Sequence, residues 1–169
     1  MAVYTTLTNK DIFLLSNNYQ IDKVIKFEGI KKGIENTNYF LKTNKKKFIL
    51  TIFEKRVHKK DLPFFMNLMD KLNQKKIMCP KPLKNKKGKY LSTIKHKSAC
   101  IVTFLKGKDK AHLNYKNCFD VGKNIAKFHK ATSKIGLYRK NSMSVKKLDG
   151  LLKSIKFKSI KKSLDLKSV

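Results

Sequence analysis

Alternating hydrophobic and polar positions in the first third of the chain predict three β-strands. The segments Val24 to Ile30, Tyr39 to Thr43 and Phe48 to Phe53 each follow the two-residue period of a strand. The connections between them are short and polar. We therefore expect the three segments to pair as successive antiparallel strands.

Helical spacing of apolar residues precedes and follows these strands. Thr8, followed by Asp11 at the third position, predicts a helix start. A second start is predicted at Asp61 and Pro63. The apolar stripe that follows has helical spacing and consists of Phe64, Phe65, Leu68, Met69 and Leu72. The pattern from Tyr115 to Ala131 predicts a long third helix.

Further segments complete the predicted order of elements. Lys84 to Ile94 is predicted to form a hairpin around Lys87-Gly88, and the apolar run Ala99 to Leu105 predicts a buried strand. Another helix is predicted to begin after Ser144.

This order of strands and helices predicts an α+β fold class. We expect an N-terminal antiparallel sheet lobe with a helix over residues 1–106. The start of a helical C-terminal lobe is expected over residues 107–169, with the boundary near Gly107. Both parts are short enough to belong to one ordinary domain-sized chain of 169 residues.

The charge of the chain is extreme, with a formal net charge of +30 at pH 7. Such an excess can indicate a polyanionic partner. However, only Arg56 and Arg139 are arginines among the 41 basic residues, and the lysines are spread along the whole chain. Arginine is the side chain that nucleic-acid readout favours. The distribution favours a lysine-rich solvated surface over a nucleic-acid site, which stays open as an alternative.

Cysteine usage and hydropathy bear on the compartment. Cys79, Cys100 and Cys118 include no C-x-x-C pair, so we expect reduced thiols in a cytoplasmic protein. No apolar stretch approaches the roughly 18 residues of a membrane span, and the N-terminus lacks the pattern of an export signal. We expect neither export nor a membrane partner.

One loop between predicted strands has the composition of an anion-binding turn. It consists of Gly33, Ile34, Glu35, Asn36, Thr37 and Asn38. Gly33 permits an unusual turn, and successive backbone N–H groups with small polar side chains can surround an anion. By itself the same composition also suits an ordinary hairpin connection.

Several sequence blocks in a fixed order resemble the homoserine kinases of the aminoglycoside phosphotransferase and choline kinase superfamily. The resemblance extends from the first helix to about Leu148. The blocks are Gly33 to Leu41, Phe48 to Arg56, Asp61 to Phe65, Cys79 to Pro82, Ala99 to Leu105 and Asn141 to Ser144. Such an ordered set is much more specific than any one of its members.

The resemblance implies a protein-kinase-like fold whose N-terminal lobe holds ATP. In that fold the loop from Gly33 to Asn38 would cover the phosphates. Ile49 and Leu50 would line the apolar slot for adenine. The segment Val102, Thr103, Phe104 and Leu105 would join the lobes and bind adenine through its backbone. The implied substrate is the side-chain hydroxyl of L-homoserine, phosphorylated with Mg²⁺ and ATP during threonine biosynthesis.

Two departures from the superfamily pattern shape the prediction. Thr51 stands where many relatives carry a lysine that faces the phosphates. Lys42 and Lys47 are candidates for that role by proximity alone. The His-(Gly/Ala)-Asp catalytic loop and the metal-binding Asp block are absent from this chain, so we assign it no catalytic residue and no metal ligand.

These departures predict a chain that is inactive alone, because phosphoryl transfer requires bound metal and a positioned base. We expect a fragment of a homoserine kinase that retains the nucleotide lobe. The alternatives are a nucleotide-binding pseudokinase and a basic nucleic-acid-binding module. In a fragment, the helix Tyr115 to Ala131 would expose an apolar face and promote self-association.

Overall fold

The computed structural model describes residues 3–55, 57–107 and 110–154. The chain divides into two compact units, one reaching to Leu137 and the other beginning at Tyr138. Arg56 and the predicted C-terminal region beyond residue 154 lie outside the described residues. The division into lobes near Gly107 stays a prediction.

A five-stranded sheet forms the centre of the first unit. Its strands are β1 (Val24–Gly29), β2 (Thr37–Thr43), β3 (Lys47–Ile52), β4 (Ser92–Ile94) and β5 (Lys97–Thr103). They lie in the order β1-β2-β3-β5-β4, and every neighbouring pair is antiparallel. The three strands predicted from alternation in the first third of the chain are therefore confirmed, with small shifts at their ends.

One face of the sheet is closed by the first helix, α1 (Asn9–Tyr19). The main core lies between this helix and the sheet, because alternate residues of each strand point toward it. Its buried residues include Ile12, Leu15, Tyr19, Tyr39, Leu41, Phe48, Leu50, Ile52, Ala99 and Ile101. The helix begins as predicted, with the Thr8 hydroxyl accepting from the Asp11 N–H and the Asp11 carboxylate accepting from the Thr8 N–H.

The opposite face is partly covered by α2 (Leu62–Gln74), which follows a short 3-10 turn at Lys59–Asp61. Asp61 occupies the N-cap position without a side-chain cap bond, and a proline stands in the first turn. Met66 packs against Cys100 and Val102 in a second, smaller core. Ile49 of β3 packs against this second core, whose strand residues Cys100 and Val102 belong to β5.

The predicted hairpin around Lys87-Gly88 is wrong. These residues form a compact turn in which Gly88 has a positive φ of 71° and Asn85 accepts bonds from Lys87 and Lys89. The hairpin instead joins β4 to β5 through Lys95 and His96. Both residues of that connection have positive φ, 47° and 61°, a geometry for which Asn-Gly is the usual sequence signal.

The third helix, α3 (Tyr115–Thr132), begins after an Asn114 cap, and none of its residues is buried. Two lysines of the α2 region reach its C-terminal end. Lys75 Nζ lies 2.8 Å from the Ala131 carbonyl, and Lys71 Nζ lies 2.8 Å from the Ile135 carbonyl. In the second unit, α4 (Val145–Ser154) follows Ser144, whose carbonyl accepts from Lys147 and Leu148.

Candidate nucleotide-binding site

The face of the sheet that α2 partly covers carries a row of apolar side chains. Phe40 pairs with Ile49, and Ile49 pairs with Val102, so these three residues lie side by side across β2, β3 and β5. Phe40 and Ile49 are half-buried, whereas Val102 is buried under α2. A flat apolar row that ends at a covering helix can accept the face of a planar ring.

Leu50 belongs to the other face of the sheet, and its predicted place in the adenine slot is wrong. Its side chain is fully buried in the main core beside α1. Adjacent strand residues point to opposite faces, so Ile49 and Leu50 cannot line one slot.

The segment after β5 closes one end of the apolar row. Phe104 packs edge-on against Phe40 with ring centroids 5.4 Å apart. The N–H groups of Thr103 and Phe104 already donate to the carbonyls of Lys81 and Lys47. An adenine at this end would therefore bond to carbonyls of the segment or to the backbone of Leu105, which is 41% exposed.

The loop between β1 and β2 lies at the other end of the same strands. Gly33 has a φ of 114°, a conformation that favours glycine. Ile34 and Glu35 are exposed, and Asn36 accepts a bond from the Glu54 N–H through Oδ1. Thr37 differs from the other loop residues, because its side chain is fully buried on the core side. Its hydroxyl is saturated by protein partners, so only its backbone can serve a ligand.

Thr51 and Asn38 form a polar pair beside this loop. They lie opposite each other in the β2–β3 ladder, and the Thr51 hydroxyl donates to Asn38 Oδ1 at 2.7 Å. Because Oδ1 accepts this bond, Nδ2 is the group that the Asn38 amide offers to a ligand. A neutral amide donor thus stands near the position where many relatives carry a lysine.

Lys42 and Lys47 are placed far from the loop. They face each other at the opposite end of the β2–β3 ladder from the Asn38–Thr51 pair. At about 3.3 Å per residue, four residues of strand separate Lys42 from Asn38 by roughly 13 Å. These two lysines stand at the Phe104 end of the ladder and not at the end beside the loop.

Sequence reasoning missed a charged cluster behind the loop. Lys97 forms an ion pair with Glu54, whose side chain is only 9% exposed. Burial opposes ionisation of Glu54, but hydrogen bonds from Lys97, Thr5 and Thr37 outweigh it and lower its pKa. A cavity of about 380 Å³ adjoins the cluster; its lining is Tyr4, Ile34, Glu35, Glu54, Lys55 and Lys97.

Cys100 is structural. It is 2% exposed, and burial raises the pKa of its thiol to about 12. A thiol that stays protonated at neutral pH is a poor nucleophile.

Within 3–55, 57–107 and 110–154, no three or more His, Cys, Asp or Glu side chains form a group that could hold a metal ion. In the same ranges, no helix is both long and apolar enough to cross a bilayer.

Comparison with known proteins identifies the family. A family model described as "Phosphotransferase enzyme family" matches residues 26–151. The chain belongs to this family. The matched range contains the loop, the apolar row and the Thr51–Asn38 pair, so the candidate site of this phosphotransferase chain lies inside the family region.

Curated relatives of the phosphotransferase chain include homoserine kinases. That of Rhodopseudomonas palustris is 42% identical over 148 residues, which are 86% of this chain and 45% of the relative. That of Paramagnetospirillum magneticum is 37% identical over 166 residues, 98% of this chain and 51% of the relative. The chain therefore spans about half the length of the curated relatives it matches.

A solved structure confirms the fold class. The structure of a spectinomycin phosphotransferase in complex with ADP and spectinomycin superposes with a TM-score of 0.60 at 17% identity. The match covers 83% of this chain and 44% of that protein. The predicted protein-kinase-like α+β fold is therefore confirmed.

Proposed function

We propose that this phosphotransferase chain binds ATP on the face of its sheet that α2 partly covers and supplies the nucleotide-binding part of a homoserine kinase. The carrying observation is the apolar row Phe40, Ile49 and Val102, bounded by Phe104 at one end and by the loop from Gly33 at the other. An apolar slot beside a backbone-rich turn suits an aromatic base with an attached polyphosphate. The homoserine kinase relatives support the choice of substrate.

In this proposal the loop residues Gly33 to Asn38 cover the phosphates through backbone N–H groups and the Asn38 amide. Ile49 and Val102 contact adenine. The Thr51 hydroxyl donates to Asn38 Oδ1 and so orients the Asn38 amide. The segment Thr103 to Leu105 borders the base and joins two lobes at about Gly107. We place the reaction in the cytoplasm, in threonine biosynthesis.

The proposed reaction transfers the γ-phosphoryl group of ATP to L-homoserine. The side-chain hydroxyl oxygen bonds to phosphorus, the bond from phosphorus to the bridging oxygen of ADP breaks, and the hydroxyl proton passes to a base. Mg²⁺ would neutralise the phosphate oxygens when bound. We assign neither the base nor a metal ligand to the described residues, so we expect the chain by itself to bind ATP without transferring phosphate.

A chimera tests this function. Residues of the Rhodopseudomonas palustris homoserine kinase that align with this chain are replaced by those of this chain, and ATP-dependent phosphorylation of L-homoserine is measured. We expect phosphorylated homoserine and release of ADP. A Phe40→Ala chimera should show a raised KM for ATP, whereas Phe13→Ala, which removes an exposed phenylalanine of α1, should not.

The possible outcomes separate the alternatives. A folded chimera that binds ATP but leaves homoserine unmodified would favour the pseudokinase. A chimera that binds neither ATP nor adenosine would contradict the proposed site, provided that the parent enzyme is active in the same assay.

A further inference from the structure

The Glu54 carboxylate joins three separate parts of the chain. Oε1 accepts hydrogen bonds from the hydroxyls of Thr5 and Thr37, each at 2.7 Å. Oε2 accepts from Lys97 Nζ, and the same ammonium donates to the Thr5 hydroxyl at 2.7 Å. The carboxylate thus links the N-terminal segment, the start of β2 and the start of β5.

These links end on the loop proposed to cover the phosphates. Thr37, which closes the loop, accepts the N–H groups of Tyr4 and Thr5 at 2.9 and 3.1 Å while donating to Glu54. The Glu54 N–H donates to Asn36 Oδ1 at 3.3 Å, and the Tyr4 hydroxyl donates to the Ile34 carbonyl at 3.0 Å. The loop is therefore held at Ile34, Asn36 and Thr37.

The cluster lies on the opposite face of the sheet from the proposed site. Thr37 is fully buried and lies opposite Ile52, a residue of the main core, so both side chains point to the α1 face. The proposed ATP face is the other one, where Asn38 and Thr51 lie. Glu54 would therefore not touch the nucleotide.

We propose that Glu54, held by Lys97 and Thr5, is a positioning residue that fixes the phosphate-covering loop in its binding conformation. This inference rests on the proposed function. A loop that is ordered before binding loses less conformational entropy when the ligand arrives, so its attachment contributes to affinity. The contribution should concern only ligands that carry phosphates, because the adenine slot lies at the far end of the strands.

The Glu54→Gln variant removes the charge and keeps the size. Its amide offers one acceptor oxygen in place of two and adds a donor N–H₂ that faces donors from Thr5, Thr37 and Lys97. Lys97→Met is the second variant, because it removes the counter-ion without changing Glu54. The matched control is Asp11→Asn, which breaks the ion pair of Asp11 with Lys95 at 3.3 Å and contacts no loop residue.

The experiment measures the dissociation constants of the full chain for ATP and for adenosine by calorimetry. We expect Glu54→Gln to weaken ATP binding about tenfold and to leave adenosine binding within about twofold, as expected for loss of one buried charged hydrogen-bonded link. Lys97→Met should act in the same direction, and Asp11→Asn should change neither ligand's affinity. A merely structural role would weaken both ligands equally and would leave their ratio unchanged.

Amide hydrogen exchange gives a second readout that needs no ligand. We expect the N–H groups of residues 34–38 to exchange faster in Glu54→Gln than in the unmodified chain, and not in Asp11→Asn. A folded Glu54→Gln variant with unchanged loop exchange and an unchanged ATP-to-adenosine ratio would overturn the inference. If the unmodified chain binds adenosine and ATP equally, the loop has no role with phosphates and the inference is also overturned. Failure to bind either ligand would instead overturn the proposed function, and the exchange data would still decide whether Glu54 orders the loop.

Discussion

Adjacent residues of β3 have different environments because they point to opposite faces of the sheet. Leu50 is fully buried in the main core, whereas Ile49 is half-buried on the proposed ATP face. We expect Leu50→Ala to lower the free energy of unfolding by about 2–5 kcal/mol, the range for truncating a buried leucine. Ile49→Ala should cost less stability and should raise the dissociation constant for adenosine, because Ile49 is proposed to contact the adenine ring.

Urea denaturation and calorimetry with adenosine measure the two effects separately. Adenosine binding by the two variants is compared under conditions in which both are folded. Equal loss of stability in the two variants, with unchanged adenosine binding by Ile49→Ala, would show that the two faces are not divided in this way.

The ionisation of Glu54 gives a prediction about pH. Hydrogen bonds from Lys97, Thr5 and Thr37 hold its pKa below the ordinary value of 4.5 despite burial. A carboxylate with a depressed pKa stabilises the fold above its unfolded pKa, and this contribution is lost as pH falls through the folded pKa. Lys55 and Glu35 line the same cavity and also face this region. The quantity to measure is therefore the difference in unfolding free energy between two proteins that both contain these residues.

We therefore expect the stability difference between the unmodified chain and Glu54→Gln to be constant above about pH 6 and to shrink below pH 4.5. Its neutral-pH size should be about 1–2 kcal/mol, a value reduced for the solvent contact of Lys97. Chemical denaturation at several pH values measures it. A difference that grows on acidification would contradict the assigned ionisation.

The Glu54 cluster also shows what sequence reasoning could not reach at the residue scale. The loop from Gly33 was predicted from its composition and from the resemblance, since all its residues are contiguous. Thr5, Glu54 and Lys97 are separated by tens of residues; Thr5 precedes α1, Glu54 follows β3 and Lys97 begins β5. Only the register of the sheet, in which Ile52 lies opposite both Thr37 and Ala99, brings them together.

At the scale of elements, the start of α1 is encoded in a few residues. The reciprocal bonds between Thr8 and Asp11 satisfy N–H groups that lack partners inside the helix. We expect Thr8→Ala to lower the free energy of unfolding by about 1 kcal/mol, and Thr8→Ser to restore most of it. Thermal and urea denaturation of the three proteins measure this. Equal stability of the Ala and Ser variants would exclude a capping role for the hydroxyl.

Local signals of this kind explain which elements were predicted correctly. Caps and periodicity placed the starts of α1 and α2, and both bounds of α3 and of the first three strands, close to their observed positions. The β4–β5 hairpin was missed because its turn residues, Lys95 and His96, carry no turn signal. β5 pairs with β3 over a long sequence separation, and β4 pairs with β5. The hairpin is wrongly predicted at Gly88 because glycine is a turn signal, but the turn at Gly88 joins no two of the five strands.

At the scale of the whole molecule, a large positive charge coexists with an exposed apolar helix. The net charge is +30, and α3 exposes Tyr115, Phe119, Val121 and Ile125 at 90%, 69%, 55% and 51%. An apolar helix face in water favours association, while like charges on two copies oppose it. Salt screens the charges over about 10 Å at 0.1 M and leaves apolar contact intact.

The balance of these two effects predicts self-association that strengthens with salt. We expect sedimentation velocity to show a larger associated fraction at high than at low NaCl concentration. Nucleic-acid binding through the lysines would show the opposite sign, with about a 10³- to 10⁵-fold loss of affinity between 50 and 200 mM salt for a protein that contacts 6 to 10 phosphates. Phe119→Ser should reduce the association without altering net charge. The control is Phe13→Ser, which changes a similarly exposed phenylalanine of α1 and should not reduce the association. A protease-resistant monomer at every salt concentration would refute the role of α3.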